Sequence, residues 1–234
     1  MQPHDSRSGL IVVDVQNDFA DPAGSLSVSD ASSILPTINA EIARATAGGA
    51  LVVYTQDWHP ESTPHFARDG GIWPVHCVAG TWGAELHPEL IVDGPRVRKG
   101  ANGEDGYSGF TMRDPVSGET SPTELEGLLH DRDIDRVTVC GLATDYCVKA
   151  TALDAARLGF ETSVLIDAVR AVDLAPGDGD RAIAEMTAAG VVPRRRSGPR
   201  PGHRRRGRGG RRSPPGRHRA RPRLRAGDGR PRDP

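Results

Sequence analysis

The stretch RVTVCGLATDYCV, residues 136–148, predicts a β-strand that leads directly into a helix. Its first half, residues 137–140, is an apolar run of strand type, and Gly141 interrupts it. A helical pattern begins near Asp145, which places Cys147 in the first helical turn. Unpaired N–H groups there favour anions, so we expect this thiol to ionise more easily than a free cysteine, whose pKa is about 8.5. The same N–H groups can hold an oxyanion, although a small packing residue is the alternative interpretation of Cys147.

Apolar strands alternate with helical patterns on both sides of this stretch. Residues 10–15 form a continuous apolar run, typical of a strand that is buried on both faces of a parallel sheet. Further strands are predicted at residues 50–55, 96–100 and 161–166, and helices at 31–46, 123–130 and 179–189. This alternation predicts an α/β protein with three α/β/α layers around a doubly wound, mostly parallel six-stranded sheet.

Length and cysteine content limit the class of protein. The 234 residues are enough for one α/β domain with a full core. The three cysteines are an odd number, and the first apolar run is far too short for a secretory or membrane segment. We therefore expect a reduced, cytoplasmic protein with no membrane partner.

Charge divides the chain into two unequal parts. Residues 194–234 hold 17 arginines and two acidic residues, whereas residues 1–193 hold 13 basic and 29 acidic residues. We predict an acidic globular domain at residues 1–193 and a disordered Arg/Pro/Gly-rich tail at residues 194–234. A non-catalytic nucleic-acid-binding protein that uses this tail is one alternative. The tail has no Phe, Trp or Tyr for stacking on bases, so we expect no specific nucleic-acid partner.

The start of the tail also interrupts the last predicted strand. Its apolar pattern stops after Val191 and Val192, where the composition changes abruptly to Arg, Pro and Gly. A GC-rich gene read out of frame yields such a composition, so we hypothesise a frameshifted or misassembled C-terminus. A truncated edge strand would remove apolar burial comparable to the total free energy of unfolding. No candidate site residue lies there, so we predict intact chemistry and lowered stability.

Three polar side chains end strands of the predicted sheet. Asp14 ends the first strand, Lys99 ends the third, and Cys147 follows the strand at residues 137–140. A carboxylate beside a buried strand is costly unless it is paired or used, although a capping Asp and a surface lysine are the ordinary alternatives. Ligands of such sheets bind at the carboxyl edge, where the strand order reverses. We therefore expect these three side chains to meet there.

A long loop after the second strand concentrates histidines. Asp57 and His59 point the same way from an extended backbone, and His65, His76 and His87 follow within the same loop. Mixed nitrogen and oxygen donors suit zinc or a similar first-row ion. A single histidine is usually a hydrogen-bonding residue, but four of the chain's eight histidines lie here, which favours a metal site.

Six short motifs occur between residues 10 and 192. They are DVQNDF at residues 14–19, DWHP at 57–60, WPVHC at 73–77, KG at 99–100, YSGF at 107–110 and GLATDYCV at 141–148. In identity and order they resemble the nicotinamidase/pyrazinamidase group of the isochorismatase-like cysteine hydrolase superfamily. The resemblance covers nearly all of residues 1–193.

The resemblance implies a role for each matching residue. It places the catalytic triad on Asp14, Lys99 and Cys147. It places the metal ligands on Asp57, His59 and His76, with His65 matching a fourth ligand found in some members. It implies an oxyanion hole from the backbone N–H groups of Ala143 and Cys147, with a cis peptide bond before Ala143. The substrate contacts would be Phe19, Trp73 and Tyr107.

The resemblance further implies hydrolysis of nicotinamide to nicotinate and ammonia in NAD salvage, and of pyrazinamide to pyrazinoate, through a thioester on Cys147. Asp14 would accept the thiol proton and Lys99 would stabilise the charge. One divalent ion, zinc or alternatively iron or manganese, would bind the pyridine nitrogen. Another amidase of the superfamily, acting on a ureido or carbamoyl group, is the alternative, but such relatives generally lack the metal loop. Both a monomer and a homo-oligomer remain open.

Overall fold

The computed structural model describes residues 4–195, and within them six strands form one parallel sheet. In chain order the strands are β1 Ser8–Val13, β2 Leu51–Asp57, β3 Arg96–Lys99, β4 Thr111–Arg113, β5 Thr120–Pro122, β6 Arg136–Leu142, β7 Glu161–Arg170 and β8 Val192–Arg194. The sheet has the order β3-β2-β1-β6-β7-β8, and β4 and β5 form a separate antiparallel hairpin. The predicted α/β fold class is therefore confirmed.

Helices cover both faces of this sheet. They are α1 Asn17–Ala20, α2 Leu35–Ala47, α3 Leu125–His130, α4 Lys149–Arg157 and α5 Asp178–Ala188. Side chains of β1 alternate between the two faces: Leu10 and Val12 pack in one hydrophobic cluster with α2, and Ile11 and Val13 pack in the other with α3 and α4. Because both faces of β1 are fully buried, its sequence is a continuous apolar run.

The strand order reverses between the two central strands. The chain runs outward from β1 to β3, returns to β6 on the other side of β1, and then runs outward to β8. The ends of β1 and β6 therefore lie side by side at the carboxyl edge. Gly141 allows this close approach, because a Cβ atom there would lie 2.1 Å from the carbonyl oxygen of Val13.

Strand and helix ends differ from the sequence prediction by a few residues. The largest differences are four residues: helix α2 begins at Leu35 rather than residue 31, and β7 extends to Arg170 rather than residue 166. Its pairing with β6 is irregular between Val139 and Gly141, and the strand continues beyond that bulge. Near Cys147 the helix begins with a wide turn of π type, Thr144–Val148, before α4. The short helix α1 and the β4–β5 hairpin carry too few residues for a periodic pattern and were not predicted.

The last strand is short. Val192, Pro193 and Arg194 pair with residues 163–165 of β7, so β8 runs one residue past the predicted domain boundary. Nearly all of the predicted tail lies outside the described residues.

No helix among residues 4–195 combines the length and apolar character needed to cross a membrane.

Candidate active site and metal centre

Asp14 lies directly after β1, in a backbone conformation that is unusual for a residue with a side chain. Its φ of 47° lies in the left-handed region, which costs about 1 kcal/mol or more outside glycine. Thr55 on the neighbouring strand β2 holds it: the Thr55 hydroxyl donates to Asp14 Oδ1 at 2.6 Å, and the Asp14 N–H points to the Thr55 carbonyl at 3.2 Å. The carboxylate is fully buried. The strained backbone therefore places the Asp14 carboxylate, in a fixed position, at the carboxyl edge of the sheet.

Lys99 ends β3 and is also fully buried. Its ammonium lies 3.0 Å from Asp14 Oδ2, donates a hydrogen bond to Asp57 Oδ1, and lies 3.6 Å from Cys147 Sγ. Although burial lowers the pKa of Lys99, the two carboxylates outweigh it and hold that pKa well above its usual value. Lys99 is therefore a permanent positive charge between two carboxylates and a thiol.

Cys147 lies in the turn between β6 and α4 and is buried. Its sulfur lies within 4.8 Å of carboxylate oxygens of both Asp14 and Asp57. A cis peptide bond joins Leu142 to Ala143, as the motif resemblance implied, and the Ala143 carbonyl accepts hydrogen bonds from the next turn. The predicted triad residues therefore meet at one point of the sheet edge.

The protonation of the thiol differs from the expectation drawn from its place at a helix N-terminus. Burial raises the pKa of Cys147 well above its usual value, and the Asp14 and Asp57 charges raise it further against the opposing effect of Lys99. Burial likewise raises the pKa of Asp14. Desolvation and two carboxylates outweigh the helix dipole. Both directions favour a neutral thiol at Cys147, and Asp14 beside it holds a proton more readily than an ordinary aspartate.

Asp57 connects this triad to a cluster of histidines. Its Oδ1 faces Lys99, whereas its Oδ2 lies 3.9 Å from Nε2 of His59 and 3.9 Å from Nε2 of His76. The Gln16 side chain fixes the backbone here by bonding both the N–H and the carbonyl of Asp57. Although burial raises the pKa of Asp57, the charge of Lys99 lowers it below the usual range. Asp57 is therefore an anion with one oxygen bonded to Lys99 of the triad and the other facing the histidine cluster.

The histidine cluster has the properties of a cation site. Ring nitrogens of His59, His65 and His76 lie within 4.8 Å of one another, and all three side chains are buried. Both ring nitrogens of His59 are buried without a hydrogen-bond partner, which is costly unless an ion takes one of them. A Cβ atom at Gly100 would lie 2.7 Å from His59 Nδ1, so glycine leaves room for this ring. The donors present fit a zinc-type ion.

His76 is prepared for the same role. Its Nδ1 lies 2.7 Å from the carbonyl oxygen of Pro74, which can only accept, so Nδ1 carries the proton and Nε2 keeps its lone pair. Burial lowers the pKa of His76 to about 4, which leaves the ring neutral near pH 7 as a ligand must be. His87, the fourth histidine of the loop, lies apart from this cluster, with Nε2 3.8 Å from Asp21 Oδ2.

A cavity opens beside the Cys147 thiol and the His76 ring. Its lining is almost entirely apolar and consists of Phe19, Leu26, Val28, Trp73, His76, Leu142, Ala143, Tyr146, Cys147 and Val172. Two of the predicted substrate contacts, Phe19 and Trp73, are in this lining. Tyr107 is behind it, where its hydroxyl accepts a hydrogen bond from Trp73 Nε1 at 3.0 Å. The cavity has the composition of a small-molecule site, an apolar lining with a few polar groups at its edge.

Comparison with known proteins decides the family, because the sequence matches the isochorismatase domain over residues 8–196. The chain belongs to the isochorismatase family. The resemblance inferred from the six motifs is therefore confirmed.

Members of the isochorismatase family with related sequences include nicotinamidases. The nicotinamidase of Escherichia coli (strain K12) is 38% identical over 201 residues, covering 78% of this chain and 92% of that protein. The crystal structure of the pyrazinamidase of Pyrococcus horikoshii in complex with zinc is 40% identical with a TM-score of 0.73, covering 81% of this chain and 99% of that one. PnC1 from L. infantum in complex with nicotinate is 39% identical with a TM-score of 0.74, covering 83% and 96%.

Several residues of this isochorismatase-family site were not found by sequence reasoning. Tyr146 lines the cavity and contacts the Trp73 ring edge-on, with centroids 5.0 Å apart. The sequence position of Tyr146, directly before Cys147, could have indicated that its side chain lies at the site. Leu26, Val28 and Val172 lie in loops without periodicity, so no local pattern marks them.

Proposed function

We propose that this protein is a metal-dependent nicotinamidase that hydrolyses nicotinamide to nicotinate and ammonia and also accepts pyrazinamide. The observation that carries the proposal is the shared carboxylate of Asp57, which joins a Cys–Lys–Asp triad to a histidine cluster beside an apolar cavity. A ring that carries a carboxamide and a heteroaromatic nitrogen fits this combination, because the two polar groups would face two different clusters. The names of the related proteins support the same substrate class.

The triad supplies the nucleophile. Asp14 accepts the proton of the neutral Cys147 thiol as sulfur attacks the carboxamide carbon, and Lys99, 3.6 Å from Sγ, compensates the developing negative charge. The carbonyl oxygen becomes an oxyanion, which the backbone N–H groups of Ala143 and Cys147 would stabilise. Asp14 then returns the proton to the leaving nitrogen, so the C–N bond breaks, ammonia departs and a thioester remains on Cys147.

The same residues complete the turnover. Asp14 takes a proton from a water molecule that attacks the thioester carbon, and the tetrahedral intermediate collapses with Cys147 as the leaving group. The sulfur recovers the proton from Asp14, and nicotinate is released. Asp14 is suited to both steps because its raised pKa makes it a better base than an ordinary aspartate.

The histidine cluster orients the ring. Asp57, His59 and His76, with His65 as the fourth ligand, would hold one divalent ion, and zinc fits these donors, with iron and manganese as alternatives. When bound, the ion supplies a Lewis acid that can hold the pyridine nitrogen and so fix the carboxamide relative to Cys147. The Phe19 ring contacts the His76 ring, with centroids 5.4 Å apart. Phe19 and Trp73 both line the cavity next to His76.

We also propose a place for this activity in NAD salvage in the cytoplasm. The three cysteines are unpaired and buried, which suits a reducing compartment. The hypothesis that residues 194–234 are out-of-frame sequence concerns residues that, beyond residue 195, lie outside those described, and no proposed site residue is among them.

Ammonia release by the purified full-length chain tests the proposal. Nicotinamide and pyrazinamide are supplied as substrates, and an N-carbamoyl amino acid represents the alternative ureido class. We expect activity on the two aromatic amides that is lost on chelation and restored by zinc or iron. Release from the N-carbamoyl compound alone, or nicotinamide hydrolysis that survives complete metal removal, would contradict the proposal.

A further inference from the structure

Three consecutive residues, 105–107, form a strap that contacts all three parts of the site. The Gly106 carbonyl lies 3.3 Å from Lys99 Nζ, and the Tyr107 hydroxyl supports Trp73. Asp105 Oδ1 lies 2.9 Å from His65 Nδ1. The first two contacts support the triad and the cavity wall. The chemistry proposed above does not use the third.

The contact between Asp105 and His65 fixes the state of a buried ring. The two atoms lie at contact distance, although their geometry is not that of an aligned hydrogen bond. A carboxylate at this distance favours the tautomer of His65 with the proton on Nδ1, which leaves the lone pair on Nε2. The ring stacks on His59 at 4.9 Å between centroids and meets His76 edge-on at 5.3 Å. His65 therefore has one unprotonated nitrogen, and its ring lies against the rings of two other candidate ligands.

The carboxylate is on a rigid support. The Asp105 N–H donates to the Arg113 carbonyl at 2.7 Å, which joins the strap to strand β4. Thr111 of the same strand donates to Asp154 of helix α4 at 3.0 Å. Two elements of regular structure therefore hold Asp105 in place, and a carboxylate held in this way can orient the ring that it contacts.

We propose that Asp105 is a positioning residue that makes His65 the fourth ligand of the metal centre by fixing its tautomer and ring orientation. The inference rests on the metal centre of the proposed function and not on the amide chemistry. It separates the ligands into two groups: Asp57, His59 and His76 are positioned by the sheet edge and the histidine loop, whereas His65 depends on a carboxylate from the strap.

Zinc affinity of the full-length chain, measured by competition with a chromophoric chelator, tests this role. We expect Asp105→Ala to weaken zinc binding about 10- to 100-fold, the usual effect of removing a carboxylate behind a metal-bound histidine. Asp105→Asn should weaken it less, because the amide oxygen keeps a partial negative charge beside Nδ1. Glu104→Ala is the matched control, since it removes the neighbouring negative charge, whose carboxylate bonds Asn102 instead, and it should leave affinity unchanged.

A double-mutant cycle separates positioning from a general structural effect. If Asp105 acts through His65, Asp105→Ala should weaken zinc binding by less than about twofold in a His65→Ala background. Wild-type affinity in Asp105→Ala, or an undiminished effect of Asp105→Ala without His65, would overturn the inference. Equal losses in Asp105→Ala and Glu104→Ala would also overturn it.

The same assay distinguishes this inference from the proposed function. Absence of zinc binding by the wild-type chain would overturn the metal centre and the role of Asp105 together. Zinc binding that weakens as expected in Asp105→Ala, in a chain that does not hydrolyse nicotinamide, would support the inference and overturn only the proposed reaction. Thermal unfolding of the metal-free variants, expected to match wild type, confirms that the strap is folded.

Discussion

Lys99 donates a hydrogen bond to Asp57 and at the same time lies 3.0 Å from Asp14, so one buried ammonium compensates two buried carboxylates. Each carboxylate belongs to a different cluster, Asp14 to the proposed triad and Asp57 to the histidines. A substitution of Lys99 is therefore expected to affect both the triad and the histidine cluster.

Replacing Lys99 by Met should abolish hydrolysis and destabilise the fold by about 3–5 kcal/mol, because it leaves two buried carboxylates without their counter-charge. Lys149, the chain's other lysine, is the matched control. It pairs with Glu185 at the surface, so Lys149→Met should cost less than about 1 kcal/mol. Urea unfolding and ammonia release measure both effects. Equal stability of the two variants would contradict the assigned role of Lys99.

Replacing Cys147 by Ala should lower the rate of nicotinamide hydrolysis about a thousandfold or more, because no other group can form the thioester. Zinc binding should persist, since Cys147 is not among the proposed ligands. Cys140→Ala is the control, because this buried cysteine packs in the core beside α2 and should affect stability only. Substantial activity in Cys147→Ala would exclude it as the nucleophile.

Replacing Gly141 by Ala should destabilise the fold by about 3 kcal/mol or more, because the φ of 111° is strained for alanine and its Cβ would meet the Val13 carbonyl. Gly127 in α3 has no atom within 4 Å of an added Cβ. Gly127→Ala should therefore raise the free energy of unfolding by about 0.5–1 kcal/mol. Opposite shifts of the two thermal midpoints are the expected result, and a neutral Gly141→Ala would refute the close approach of β1 and β6.

A pH-dependent contribution to stability is expected from Glu41, which is buried on α2 between His4 at 2.7 Å and Arg44 at 2.6 Å. Although burial raises the pKa of Glu41, its hydrogen bond with His4 and the charge of Arg44 lower it overall. A carboxylate with a lowered folded-state pKa stabilises the fold above its unfolded pKa of about 4.3, and this contribution is lost as pH falls through the folded value.

Glu41→Gln should therefore be less stable than wild type at about pH 7, and the difference should shrink towards about pH 3. Urea midpoints across this range measure it. The exposed Glu185→Gln is the control, and its offset from wild type should be small at every pH. A difference between Glu41→Gln and wild type that stays constant with pH would contradict a lowered pKa.

Much of the fold, and the meeting of Asp14, Lys99 and Cys147 at one sheet edge, could be predicted from sequence because buried parallel strands are marked by their composition. The apolar runs around Asp14 and Cys147 placed both residues at strand ends, and the strand order then brought them together. The cavity walls from Leu26, Val28 and Val172 could not be predicted, because loops that fold over a sheet edge carry no periodic pattern.

The protonation of Cys147 could not be predicted for a different reason. Its local position favours a thiolate, but burial and two carboxylates from distant parts of the chain dominate its pKa. Asp105 is similar: an aspartate in a Gly-rich loop has no special pattern, and only the folded strap brings it to His65.

The apolar lining of the cavity has a consequence for the direction of turnover. Within the part of the chain that the structure describes, the lining contains no Lys, Arg, Asp or Glu, and the nearby charge of Lys99 is already matched by Asp14 and Asp57. An uncharged amide can leave water for such a lining at little cost, whereas a carboxylate gives up strong hydration and meets no unpaired cationic side chain in the lining. Hydrolysis would thus convert an amide that the cavity binds well into a carboxylate that it binds poorly. Cleavage of the C–N bond itself would then favour release of the product.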